Sequence, residues 1–393
     1  MVHPVRIALR RIQQDLAQIL DAPQITRVCR AVGYRFRQRL LDPIATIHLF
    51  VVQVLHGNFA VARLQDFTDE AFSEAAYCKA RRRLPLAVLQ TLLRRVGAVL
   101  RTPLDDAGRW CGHRTFHIDG SAFSMPDTPE LQKEFGQPGG QRVGCGFPVA
   151  HLLTLFHAGT GFLLRVLTAP LRTHDMAQAA LLHPELEEGD VLIGDRAFSS
   201  YAHLALLRRR KLHGVFRLHQ RQIVNFRPYR AYNRPGEKPK KGRPTSCWLQ
   251  RLGKHDQLVE YFKPKANSRP TWMSAEDYEA LPASIRVREL RYRVPRVRRT
   301  REVTLVATLL DAAAYPAKEL AQLYGQRWKI ETNLRHLKQT MKMDVLRCET
   351  VQGVLKELTV FALVYNLVRA VMVEASHRQQ VPVERISFAD ALG

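Results

Sequence analysis

Acidic residues are scarce in this 393-residue chain, where 36 Asp and Glu face 60 Lys and Arg for a formal charge of +24. Such a surplus predicts a polyanionic partner, nucleic acid first and an anionic membrane second. Long apolar runs are missing too. The longest, PIATIHLFVVQVLHG from Pro43 to Gly57, is too short to span a bilayer and contains His48, so no membrane partner is expected. MVHPVRIALRRIQQDL at the start has neither a signal-peptide apolar stretch nor a small-residue cleavage site. Cysteines stand alone at 29, 78, 111, 145, 247 and 348, with no CxxC pair. That pattern argues against structural zinc and for free thiols in a reducing compartment, which makes the cytoplasm the expected location. No HExxH motif is present, so a zinc hydrolase has little support. GQPGGQRVGCGF, Gly136 to Phe147, lacks the order of a phosphate-binding glycine motif and reads as a flexible loop.

What is present is ordinary in bulk, since a hydrophobic content of 46% suffices for a real core. Residues 1–110 read as helices, with apolar periodicity around 5–20, 42–56 and 86–100 and turn signals DAP, LDP and HGN between them. CKARRRLP, Cys78 to Pro85, is a basic helix end stopped by proline. Arg81, Arg82 and Arg83 are there either as a solvated face or as contacts to phosphate. From about 113 the pattern changes to strands in RTFHIDGSAF, FPVAHLLTLFH, GFLLRVLTAP, DVLIGD and HGVFRLH, with helices expected around 174–183 and 199–211. Arg208 to Lys211 read as a solvated helix end. The fold class is therefore α/β, in its mixed α+β form. NRPGEKPKKGRP is a loop, and alternation in IRVRELRYRVPRVRRTREVTLVATLL predicts a basic β-meander with its arginines on one face. Residues 220–300 are thus expected to form a β-rich insertion, and 315–377 to be helical again.

LYGQRWKIETNLRHLK, Leu323 to Lys338, is where charge and pattern meet. On one continuous helix, Tyr324, Arg327, Glu331 and Lys338 lie at roughly 0°, −60°, −20° and −40° about the axis. Leu323, Ile330, Leu334, Leu337 and Met341 fall on the adjoining face. Such a helix packs one side on a core and projects a carboxylate among cations beside it. Two more acids, Asp119 in HIDGS and Asp195 in IGDRAF, are read at strand ends. Turn chemistry explains each singly. With Glu331 they form a set that can hold two divalent cations for phosphodiester chemistry, and hard oxygen ligands suit Mg²⁺.

The spacing Tyr324-x2-Arg327-x3-Glu331-x6-Lys338 resembles the Y-R-E-K signature of bacterial DDE transposases of the insertion-sequence-four type. IDGSAFSMPDT, GDRAFSSYAHL and YCKARRRLP are similar to further segments of that family, so the likeness covers about 70–370. It implies an RNase H-like catalytic core, 111–219 and 301–347, interrupted by the β-rich insertion. An N-terminal helical DNA-binding region (1–110) and a C-terminal helical region (348–393) flank it. It also implies Asp119, Asp195 and Glu331 as catalytic, metal-binding residues for two Mg²⁺ ions, with Mn²⁺ able to substitute. Tyr324, Arg327 and Lys338 would contact end-DNA phosphates, and Trp248 or Trp272 would stack an extruded base. The implied partners are transposon terminal repeats, target DNA and a second copy of the chain, with nucleoid association when DNA is bound. ISFADALG stops where members usually carry further helices, so a truncated or frameshifted copy is an expectation. The alternative, a catalytically impaired or domesticated DNA-binding relative, predicts a lost carboxylate, and none is lost.

Overall fold

The computed structural model describes residues 20–392 except 69, 102–108, 141, 143–145, 172, 174 and 295–300. The helix expected around 5–20, Cys145 and part of the 136–147 loop lie outside the described residues. The five other cysteines are free thiols. Four N-terminal helices follow, α1 (Ala22–Ala31), α2 (Pro43–Leu55), α3 (Glu74–Arg83) and α4 (Leu86–Arg101). Two of the turn signals are helix caps. Asp21 and Asp42 accept hydrogen bonds from the Gln24 and Ala45 backbone N–H at 2.7 and 2.9 Å, each with a proline in the first turn. The side-chain oxygen satisfies an orphan donor, and proline costs nothing where no intrahelical bond is due.

The strands are β1 (Thr115–Ser124), β2 (Val149–His157), β3 (Leu163–Pro170), β4 (Val191–Gly194), β5 (His213–Arg217), β6 (Cys247–Gly253), β7 (Asp256–Phe262), β8 (Ser284–Val294) and β9 (Arg301–Ala307). They form one sheet in the order β3-β2-β1-β4-β5-β9-β8-β7-β6. β1, β4 and β5 are mutually parallel, while β2 and β3 add antiparallel on one side and β9 on the other. Three antiparallel strands followed by two parallel ones give the core expected of an RNase H-like domain. The β-rich segment differs from a free-standing insertion. β8, β7 and β6 continue the same hydrogen-bonded ladder through β9, because an open edge at β5 is satisfied by pairing.

The meander's arginines also depart from a single face. Arg286 and Arg288 share one parity along β8, and Arg291 and Arg293 have the other, because Glu289 and Leu290 interrupt the alternation. Arg288 is fully buried, paired with Asp256 at 2.5 Å and donating to the Tyr315 carbonyl. A buried arginine needs such partners, so it is a structural residue.

The longer helices that follow are α5 (Tyr201–Arg209), α6 (Ala317–Gly325), α7 (Trp328–Arg335) and α8 (Val351–Gln379). Between Asp175 and Glu185 the expected helix is an α-turn that passes into 3-10 helix around Pro184. By length and composition α8 could cross a membrane, and it is longer than the Pro43–Gly57 run. Its apolar stretch is 78% buried inside the fold. It packs with α1, α2 and α4, with α7, and with Phe123 and Leu152 of the sheet in one core. The N-terminal and C-terminal helical regions are thus halves of one layer. Lys356 on α8 donates to the Arg81 and Arg82 carbonyls at 3.1 and 2.9 Å, tying the end of α3 to that layer.

Candidate active site

Strand alternation places the two aspartates. His117 of β1 stands beside Ile193 of β4, and Asp119 and Asp195 are each the second residue beyond that pair. Both therefore face the side of the sheet on which α6 and α7 pack. Asp195 is at the end of β4, as expected, and its carboxylate accepts from the Ala197 N–H at 2.7 Å to open a 3-10 turn. Asp119 is not at a strand end. β1 runs on to Ser124 because β2 keeps pairing with it as far as Ser124↔Val149. What ends beside Asp119 is its parallel neighbour, and that leaves the sheet open there.

Gly194 explains why glycine precedes the second acid. A Cβ there would sit 2.8 Å from both Ile118 Cγ2 and Phe198 Cδ2. Gly194→Ala should therefore cost about 1–3 kcal/mol of stability by overpacking. Denaturant titration of the purified variant checks this, and an unchanged midpoint would remove glycine's packing role.

The stretch from Leu323 to Lys338 is not one helix. α6 ends at Gly325, Gln326 and Arg327 form a turn, α7 begins at Trp328, and π-helix spans His336–Thr340. Leu323 and Tyr324 consequently pack with β4 and β5, whereas Ile330, Leu334 and Leu337 pack in the α8 core. The π-turn is held by the end of β1, where Ser124 N–H donates to the Asp344 carbonyl and Leu346 N–H to that of Ser124, each at 2.9 Å. π-Helical turns often mark functional sites, and this one carries Lys338.

Arg327 joins the acids. Its guanidinium lies 2.5 Å from Glu331 and 3.6 Å from Asp119. Burial pushes the Asp119 carboxyl up to about 6, against Arg327 and the Gly120 N–H that pull it down. The Asp195 and Glu331 carboxylates raise it further, which places all three acids within one electrostatic neighbourhood. Burial also raises the Tyr324 phenol, which faces Arg327, Arg217 and Asp195. Lys338 is half-buried on the π-turn, and its side chain makes no hydrogen bond or ion pair to the described residues.

The donor set is all carboxylate oxygen, the chemistry hard divalent cations take. Among the described residues no three His, Cys, Asp or Glu side chains are drawn together closely enough to hold a metal ion. Arg327 spans Asp119 and Glu331 instead, since three carboxylates need positive charge between them.

Arg81 turns inward, stacked 3.7 Å over Phe50 and donating to Gln53 and Cys348, while Arg82 and Arg83 are exposed. Trp248 packs against exposed Tyr229, and Trp272 borders the core on the α5 side of the sheet. Three neighbours escaped the sequence reading. His117, directly beneath Asp119 on the same face, is buried and held neutral, its pKa lowered to about 3 by burial and by Lys329 and Arg327. Lys329 pairs with Glu384 at 2.6 Å. Trp328, next to Arg327, is 56% exposed. Its signal was its place three residues before Glu331, one helical turn away.

Asp119, Asp195 and Glu331 are thus interleaved with cations where β4 ends beside β1 in the middle of the mixed sheet. The family model for the Transposase DDE domain matches residues 110–367, and the chain belongs to that family. It is similar to the transposase InsG for insertion sequence element IS4 of Escherichia coli K12, 25% identical over 288 residues, which are 72% of this chain and 58% of that one. It is also similar to the putative transposase InsZ of the same organism, 29% identical over 132 residues covering 33% and 43% of the two chains. The aligned parts thus span 58% and 43% of these relatives' lengths. Among solved structures, a piggyBac transposase synaptic complex with hairpin DNA aligns over 94% of this chain and 74% of that one, at TM-score 0.43 and 13% identity.

Proposed function

We propose that this chain is a DNA transposase that cleaves phosphodiester bonds at the ends of a mobile element and joins them to target DNA. The carrying observation is that Asp119 feels the charges of Asp195 and Glu331 where β4 ends, with Arg327 bridging Asp119 and Glu331. Family membership implies a divalent metal, and the carboxylate donors fit one. We assign two Mg²⁺ ions, replaceable by Mn²⁺, to these three residues. When bound, such ions activate the attacking oxygen and stabilise the leaving one.

The chain's own part is positional. Tyr324 and Arg327 hold the strand's phosphate against the acids, and Lys338 adds a second cation from the π-turn. Exposed Arg82 and Arg83 suit backbone contacts away from the cut, whereas Arg81 supports α3. A base-stacking role fits Trp248 better than Trp272, since Tyr229 beside it is 87% exposed. We further propose a homodimer bridging two element ends, acting in the cytoplasm on the nucleoid. The test is incubation of the purified chain with DNA flanking its reading frame on both sides, with and without Mg²⁺. Cation-dependent nicking at inverted repeats supports the reading. Binding without cutting by the unaltered chain would favour the impaired DNA-binding relative.

Arg327→Ala and Lys338→Ala should each weaken end-DNA binding and make log Kd less dependent on log salt by about one charge. Fluorescence anisotropy across a salt series checks this, and an unchanged slope in both would remove the phosphate-holding role.

A further inference from the structure

A cavity of about 470 Å³ lies between α7 and α8, walled by Trp328, Thr332, Asn333, Arg335 and His336, with Arg369 and Met372 of α8, the Ala158–Gly161 turn and the 384–389 segment opposite. Within α7, Trp328 and Arg335 sit roughly 60° and 40° from Glu331, on the side away from Ile330 and Leu334. The helix thus carries the catalytic acid on one face and the cavity wall beside it. Three observations point to a ligand. Trp328 offers an exposed indole at the mouth. Arg335 is exposed, and no hydrogen bond or ion pair joins its side chain to the described residues. His336 lines the interior, stacked 4.3 Å from Phe388, and its buried Nδ1 has no hydrogen-bond partner.

We infer that this cavity is a nucleotide subsite for the DNA strand running past Glu331. The base stacks on Trp328, its edge meets the polar interior of Asn333, Thr332 and His336, and Arg335 takes the adjoining phosphate. The volume is in the range of small-molecule sites and admits one nucleotide. The neighbouring cations do not compete for the phosphate role, because Lys329 is paired with Glu384 and Arg369 donates to the Thr160 carbonyl. Arginine beside an aromatic face is a common way of holding unpaired nucleic acid. This inference rests on the transposase reading and assigns a second DNA contact to the same helix.

The strand could be the flank of the element end or the target, and two probes separate them. One is a terminal-repeat duplex carrying an unpaired flank of a few nucleotides, and the other is an unrelated duplex with a short single-stranded gap. Binding is measured with the full chain carrying Glu331→Gln, so that nothing is cut. Trp328→Ala should weaken binding to one or both probes about five- to hundredfold, the span of a base–aromatic stack. Trp328→Phe should restore most of it, and fully paired duplex should be unaffected. Loss on the first probe assigns the flank, and loss on the second assigns the target. Equal binding by Trp328→Ala to all three DNAs, with an unchanged circular dichroism spectrum, would overturn the subsite. If the parent chain cuts and binds no element end at all, the transposase reading has failed instead.

Discussion

Glu331→Gln should abolish cutting of the element end by at least about a thousandfold while leaving end binding within about threefold, the scale expected when a transition-state charge partner is lost. Glu331 is exposed on the rim of α7 and packs against nothing in the core. The amide keeps the size and one oxygen but not the charge, so Arg327 can still donate a hydrogen bond to it and the helix should fold as before. Effects on stability should therefore be small, and effects on chemistry large. Gel assays of nicking beside anisotropy of end binding separate the two. Metal-dependent cutting retained by Glu331→Gln would sink its place in the triad.

Asp119→Asn should likewise stop cutting, but in the absence of metal it should make the protein more stable. Burial lifts this carboxyl from 3.8 to about 6 despite Arg327 nearby. A carboxyl whose folded value is raised contributes stability below its unfolded value, and loses it as pH rises through about 6. Above that pH the buried carboxylate costs on the order of 1–3 kcal/mol, which the neutral amide avoids. Thermal melts in chelator should thus place Asp119→Asn a few degrees above the parent at pH 8 and level with it near pH 4. Adding a divalent cation at pH 8 should raise the parent's midpoint and leave the variant's unmoved, because ligation requires the deprotonated acid. A variant less stable than the parent at pH 8 would show that Arg327 already offsets the burial fully. The acid would then carry no stored cost for a cation to relieve.

The candidate site was legible to different depths. The three acids were visible because two follow short apolar strands and the third shares a turn-spaced pattern with cations. Asp195 sits where that reading put it. Asp119 does not, since the length of β1 is set by β2, a partner 35 residues away. The single helix over Leu323–Lys338 failed for a related reason. Tyr324 and Ile330 serve two different cores, and the chain turns at Gln326 and Arg327 to reach both. Helical periodicity describes one burying surface at a time, so a break between two surfaces leaves the pattern nearly intact. Arg288 and Arg81 show the converse limit. Each looks like a surface cation in a basic run, and each is drawn inward by partners, Asp256 and Cys348, that local sequence does not bring near.

Residue types and their local spacing settled the strongly basic character, the order of the core strands, and the chain breaks at Asp21 and Asp42 that prove to be helix caps. The folded chain alone decided that the β-rich segment extends the central sheet, that α8 is a core helix, and that Arg327 stands between two acids. It also decided that Trp328 opens onto a cavity. These depend on pairings between residues far apart in the chain, and such contacts form only once packing closes the loops between them.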